Sequence, residues 1–188
     1  MVRVLVPIAD GVEEIEVVTI IDVLRRAGVE VVSAGLIGKP VTASRKVKLI
    51  PDTSLEAVKD EAFDMIVLPG GGDGVDNLKK DPRVEAILRR MNQGKKWVAA
   101  ICAAPALLAA YGILEGKEAT SHPSRREQTT TGNVRYLEQA VIQDGHIITS
   151  RGPGTALEFA LKLVEVLCGW EKVEELKEAM VIGKQGRV

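Results

Sequence analysis

Aromatic side chains are scarce in this chain: Phe, Trp and Tyr together make up 3% of its 188 residues. Val, Ile, Leu and Ala must therefore fill the interior, and a hydrophobic content of 46% supplies enough of them for a sizeable core. Net charge is nearly absent too. The 25 basic and 26 acidic residues leave a formal charge of -1, which removes the electrostatic reason to expect nucleic acid or an anionic membrane as the main partner. Histidine and cysteine number two each and lie far apart, so there is no zinc-ligand repeat and no metal is expected. Cys102 and Cys168 as free thiols suit a reducing compartment, and a cytoplasmic location is expected. Asp10, Glu13 and Glu14 interrupt the N-terminal apolar stretch, which argues against a secretory signal. The uncharged run Trp97 to Leu114 is 18 residues long, the lower limit for a membrane span. Its alanines, Pro105 and Gly112 fit a strand followed by a helix better, so no membrane is expected.

Short β-branched runs alternate with helical stretches along the chain. Val2 to Ile8 reads as a strand, Glu13 to Ala27 as a helix stopped by Gly28, and Val29 to Ala34 as a strand. Lys39-Pro40 separates two short extended pieces, the second being Val47 to Ile50. Phe63 to Leu68 is a buried strand ending in Pro69-Gly70-Gly71-Gly72. Asp81 caps a helix with Pro82 at its first position that runs to Met91. Trp97 to Ile101 is a strand, and the helix after Cys102 runs to Tyr111. Ala140 to Ser150 reads as a hairpin about Asp144-Gly145, Thr155 to Leu167 as a Leu-rich helix, and Val173 to Met180 as a polar one. With no repeat, linker or composition break, residues 1–188 read as a single domain. The alternation predicts an α/β fold: a mostly parallel central sheet with helices on both faces. Ligands of such sheets bind beyond the carboxyl ends of the strands, which directs attention to Ala9–Glu16, Pro69–Gly72 and Cys102.

Cys102 lies between a strand and a helix. A helix N-terminus presents free N–H groups that favour a thiolate and lower its pKa. The same residue also fits as a small buried hydrophobe, and its neighbours alone leave both readings open. The glycines after Leu68 either form an ordinary turn or aim an N–H at a bound group, completing an oxyanion hole with the amide of Ala103. Glu13 and Glu14 suit the helix dipole, whereas Glu16 lies deeper among Ile15, Val17 and Val18. There it would tend to stay protonated and can share a proton with a thiolate. His122, 20 residues after Cys102, is either a proton carrier or a surface loop histidine. His146 reads as the bland kind, and Cys168 as packing.

Six stretches carry a resemblance to a known family. They are Ala9-Asp10-Gly11-Val12-Glu13-Glu14-Ile15-Glu16, Asp22-Val23-Leu24-Arg25-Arg26-Ala27-Gly28, Leu68-Pro69-Gly70-Gly71, Ala100-Ile101-Cys102-Ala103-Ala104-Pro105, His122-Pro123 and Ser150-Arg151-Gly152-Pro153-Gly154-Thr155. In this order, over nearly the whole chain, they resemble the DJ-one/ThiJ/PfpI superfamily, in its DJ-one-like branch. The resemblance implies a flavodoxin-like sandwich, a homodimer, and a reactive Cys102 at an elbow. It also implies a protonated Glu16 touching the thiol, His122 nearby, and backbone N–H groups from Gly71 and Ala103, with Gly70 alongside. Arg26 and Arg45 resemble the branch's arginines near pocket and dimer interface. Ala104 stands where the branch often has Gly, which implies a tighter pocket floor. Ala103 stands where the protease-like branch has His, and neither histidine forms the His-x-Glu pair of glutamine amidotransferases.

The resemblance implies a cofactor-independent glyoxalase or deglycase that converts methylglyoxal-type α-oxoaldehydes, or their early glycation adducts, to hydroxyacids. Its alternative is a redox-responsive stress protein or holdase chaperone, in which Cys102 is oxidised to a sulfinate held by Glu16 and the backbone N–H groups. A member that has lost its activity is the third reading.

Overall fold

The β-branched runs alternate strictly between the two faces of a sheet, as the two-residue period of a strand requires. Val4, Val6 and Ile8 enter one core cluster and Leu5 the other; Met65 and Val67 oppose Ile66 and Leu68; Ala99 and Ile101 oppose Val98 and Ala100. Burial on both faces is why these segments read as continuous apolar runs. The computed structural model describes residues 1–183; the last five residues of the expected 1–188 unit lie outside it.

The strands are β1 (Arg3–Ile8), β2 (Glu30–Gly35), β3 (Val41–Thr42), β4 (Lys48–Leu49), β5 (Thr53–Ser54), β6 (Met65–Leu68), β7 (Trp97–Ile101), β8 (Glu118–Ala119), β9 (Arg135–Tyr136), β10 (Val141–Asp144) and β11 (Ile147–Ser150). The helices are α1 (Glu14–Arg26), α2 (Leu55–Val58), α3 (Gly72–Lys79), α4 (Pro82–Gln93), α5 (Pro105–Ala110), α6 (Arg126–Thr129), α7 (Ala156–Cys168) and α8 (Trp170–Ala179). Seven strands form the central sheet in the order β10-β11-β7-β6-β1-β2-β5. Its pairings are parallel except for the β10–β11 hairpin about Asp144-Gly145. Helices α1, α7 and α8 cover one face, and α2 to α5 the other. The expected α/β sandwich is the architecture found.

Order in the sheet positions the site. Strands β7, β6 and β1 are neighbours and parallel, so the segments that follow them emerge side by side at one edge. The run Trp97 to Leu114 divides into β7, a turn and α5, and among the described residues no helix is long and apolar enough to cross a membrane.

Several expectations change in detail. The helix after Cys102 begins only at Pro105, because residues 102–104 form the turn that carries the chain off β7. The last helix starts at Trp170 rather than Val173. Helix α3, not foreseen, grows directly from the glycine run: Gly74 packs so closely on Val12 that an added Cβ would lie 2.7 Å from its nitrogen. Cys168, expected to pack, is exposed at the last position of α7, beyond the apolar stripe of that helix.

Candidate active site

At the end of β7 the chain turns through Cys102 with φ 66°, in the left-handed region that side chains other than glycine seldom adopt. Two main-chain hydrogen bonds hold this conformation. The Cys102 N–H donates to Ser150 O at 3.0 Å, at the end of β11, and its carbonyl accepts the N–H of His122 at 2.8 Å. The sulfur is thereby aimed at the loop after β6.

Glu16 reaches the same point from the first turn of α1 and is fully buried. Its Oε2 accepts the Gly70 N–H at 2.7 Å, and its carboxyl bonds the Cys102 thiol. Gly70 must lack a side chain. A Cβ there would stand 2.5 Å from Cys102 Cβ and 2.6 Å from Glu16 Oε2. Gly71, at φ 91°, is equally constrained, since a Cβ would lie 2.2 Å from Gly11 O. The N–H groups of Gly71 and Ala103 both bond the sulfur. The glycine run is thus more than an ordinary turn.

Burial is the main cause that raises Glu16 from its ordinary 4.5 to about 7; the Gly70 N–H and the thiol oppose it, and the charge of Glu13 adds to it. For Cys102 the expected direction is reversed. Its pKa is pushed up to about 12, first by burial, then by the Glu16 charge, against the pull of the Gly71 and Ala103 N–H groups. Helix α5 is only six residues long and begins three residues after Cys102, so it offers little dipole to offset that. Above about pH 7 the pair retains one proton, with the thiol and the carboxyl as its two places. With the proton on Glu16 the charge that opposes a thiolate is gone, and three donors face the sulfur. The other carboxyl oxygen, Oε1, is buried without a hydrogen-bond partner.

His122 is tied to Cys102 by main chain, not by its ring. Its Nδ1 lies 2.8 Å from Ser124 Oγ and accepts the Ser124 N–H at 3.2 Å. The ring edge packs towards Gly152. Arg45 lies at the rim: its N–H donates to Glu14 Oε1 at 2.8 Å, and it lines a polar groove of about 610 Å³ shared with Gly72. Arg26 is not brought to the site. It closes the last turn of α1, roughly 15 Å along the axis from Glu16, and pairs with Asp22 at 2.7 Å. His146 bonds Asn92 at 2.8 Å. Ala104 is fully buried in the turn.

One participant was invisible in the sequence. The Ser44 hydroxyl lies 2.9 Å from Glu13 Oε2 and 2.8 Å from Glu14 Oε2, clasping the start of α1. The only signal was its place beside Arg45. Among the described residues no group of three or more His, Cys, Asp or Glu is arranged to hold a metal ion.

Residues 2–166 match the sequence model of the DJ-1/PfpI family. The chain is 46% identical over 179 residues to protein dj-1beta of Drosophila melanogaster, covering 95% of this chain and 96% of that one. A crystal structure of Drosophila melanogaster DJ-1beta superposes with a TM-score of 0.94 over 97% of this chain and 98% of its own. Glutathione-independent glyoxalase DJR-1.2 of Caenorhabditis elegans is 39% identical over 181 residues, 96% of each protein. Oxidized Toxoplasma gondii DJ-1 is 39% identical with a TM-score of 0.93, over 97% of this chain and 100% of that one. The chain belongs to the DJ-1/PfpI family.

Proposed function

We propose that the protein is a cofactor-independent glyoxalase that converts α-oxoaldehydes, free or in early glycation adducts, to hydroxyacids. One observation carries the reading: the fully buried Glu16 carboxyl lies against the Cys102 thiol, beside the N–H groups of Gly71 and Ala103. The Cys102 thiolate adds to the aldehyde carbon, forming the C–S bond of a hemithioacetal, whose alkoxide takes up a proton. Glu16 or His122 removes the proton from that carbon and returns one to the neighbouring carbonyl carbon. The first carbon is oxidised by two electrons and the second reduced by two, so no external redox partner enters. Water then cleaves the resulting thioester, releasing hydroxyacid and thiol. The balance is R–CO–CHO plus water giving R–CHOH–COOH. The name of the Caenorhabditis elegans relative supports the same substrate class. We assign the protein as a homodimer of the cytoplasm, the first part checked by light scattering.

The test is lactate formation from methylglyoxal by the wild type and by Cys102→Ser. Turnover by the wild type alone supports the reading; equal turnover by both overturns it.

A second reading follows from the same donors. A sulfinate on Cys102 would be held by Glu16 and the N–H groups of Gly71 and Ala103, as in a redox-responsive protein or holdase chaperone. The oxidized state of the Toxoplasma gondii relative favours weighing it. Mass spectrometry after mild peroxide discriminates: two oxygens gained by Cys102 alone, without aldehyde turnover, support this reading. Equal oxidation of the exposed Cys168 counts against it.

A further inference from the structure

Beside the sulfur loop lies a second hollow, of about 260 Å³, between α3, α5 and the turn after His122. Val75, Ala103, Ala106 and Leu107 give it apolar walls, and Arg125 and Lys79 bring cations to it. Ala103 is the residue whose N–H bonds the Cys102 sulfur, so the hollow begins one residue from the nucleophile.

Arg125 is fixed in its main chain and slack in its side chain. Its N–H donates to His122 O at 2.9 Å, and its carbonyl accepts the hydroxyl of the fully buried Thr129 at 2.9 Å. Its guanidinium lies over Gly72, where an added Cβ would be 3.2 Å from it. Yet its partners are distant: Gln128 Oε1 at 3.5 Å and Asp76 Oδ2 at 3.8 Å. The ion pairs of Arg3, Arg25, Arg83, Arg89 and Arg126 close to between 2.5 and 3.0 Å. With its side chain only 26% exposed, Arg125 is largely withdrawn from water without a tight partner in return. Asp76 is half exposed and can swing into solvent. A guanidinium so placed matches a carboxylate, which it binds through two parallel N–H groups.

We propose that Arg125 selects α-oxoaldehydes that carry a carboxylate beyond the dicarbonyl, holding that anion in the hollow while Cys102 meets the aldehyde. The inference rests on the glyoxalase reading for its chemistry and adds the substrate class. Methylglyoxal has no group for Arg125; 4,5-dioxopentanoate has one, and hydration with rearrangement turns it into 2-hydroxyglutarate.

The experiment compares kcat/KM for 4,5-dioxopentanoate and methylglyoxal in wild type, Arg125→Met and Arg125→Lys, with binding of 2-hydroxyglutarate and lactate measured on the same proteins. The ratio favouring 4,5-dioxopentanoate is expected to fall about tenfold in R125M, the scale of one lost charge-assisted hydrogen bond, chiefly through KM, and to recover in part in R125K. An unchanged ratio, or equal loss on both substrates, overturns the proposal. If the wild type turns over neither aldehyde, the glyoxalase reading fails and binding decides the role of Arg125. About tenfold weaker 2-hydroxyglutarate binding in R125M, with partial recovery in R125K, then supports an anion site, and equal binding overturns it.

Discussion

The carbonyl of Cys102 accepts the backbone N–H of His122 at 2.8 Å, while the His122 imidazole is held through Nδ1 by Ser124. Position and orientation of the histidine are therefore set by different neighbours. The first cannot change without moving the elbow; the second depends on the exposed hydroxyl and the backbone N–H of Ser124.

His122→Ala is expected to keep the main-chain bond and lose the imidazole proposed as a proton carrier. Turnover of methylglyoxal should fall about a hundredfold or more, the usual share of general acid–base catalysis, with a thermal midpoint close to that of the wild type. Ser124→Ala should cost less, about tenfold or under, since it removes the hydroxyl contact to the ring but keeps the backbone N–H that also holds Nδ1. Steady-state kinetics beside thermal unfolding separates the two.

Stability should depend on pH through Glu16. Its pKa is raised on folding from 4.5 to about 7, so its contribution is fully present below pH 4.5 and is lost as pH rises through about 7. The loss is on the order of 3 kcal/mol. Asp81 works in the opposite sense. Its bonded Arg83, outweighing burial, holds its carboxyl below the usual 3.8, so that contribution is lost only in acid. Urea unfolding between pH 5 and 9 should show falling stability for the wild type and a flatter profile for Glu16→Gln.

Gly70→Ala and Gly71→Ala should both destabilise, by about 1–3 kcal/mol or more. Gly71 should be the worse, because its Cβ meets main chain at 2.2 Å and its φ is 91°. At Gly70 the clash is with the Cys102 and Glu16 side chains, so Cys102→Gly in the same chain should recover part of the stability of G70A. Denaturant melts of single and double variants check this.

Ser44→Ala should cost about 1 kcal/mol through the lost clasp on Glu13 and Glu14. Hydrogen exchange at Arg45, whose N–H donates to Glu14, should quicken.

Much of the frame was legible. The apolar runs at Val2, Phe63 and Trp97 became central strands, and Asp81-Pro82 did open a helix. What local sequence could not announce was structure made by contact. Gly72-Asp73-Gly74 reads as a turn by propensity, yet packing against Gly11 and Val12 makes it the start of α3. Thr53-Ser54 is a strand only because it pairs with Ala34 and Gly35. The approach of Glu16 to Cys102 depends on β1, β6 and β7 lying side by side, which alternation alone does not order. The direction of the thiol's shift was hidden for the same reason: donors and dipoles are readable near a residue, but its dryness and a distant carboxylate are not. Arg26 shows the converse, a residue matched by resemblance that its own helix carries away from the sulfur.

The left-handed backbone at Cys102 sets fold against chemistry at a single position. Glycine or asparagine would sit there with less strain, by about 1 kcal/mol or more. A chain selected for robustness alone would drift to one of them and lose the thiol. Keeping cysteine means tolerating a spring held taut by Ser150 and His122, and any search for stabilising substitutions that includes this position will be drawn towards removing the thiol on which the proposed chemistry depends.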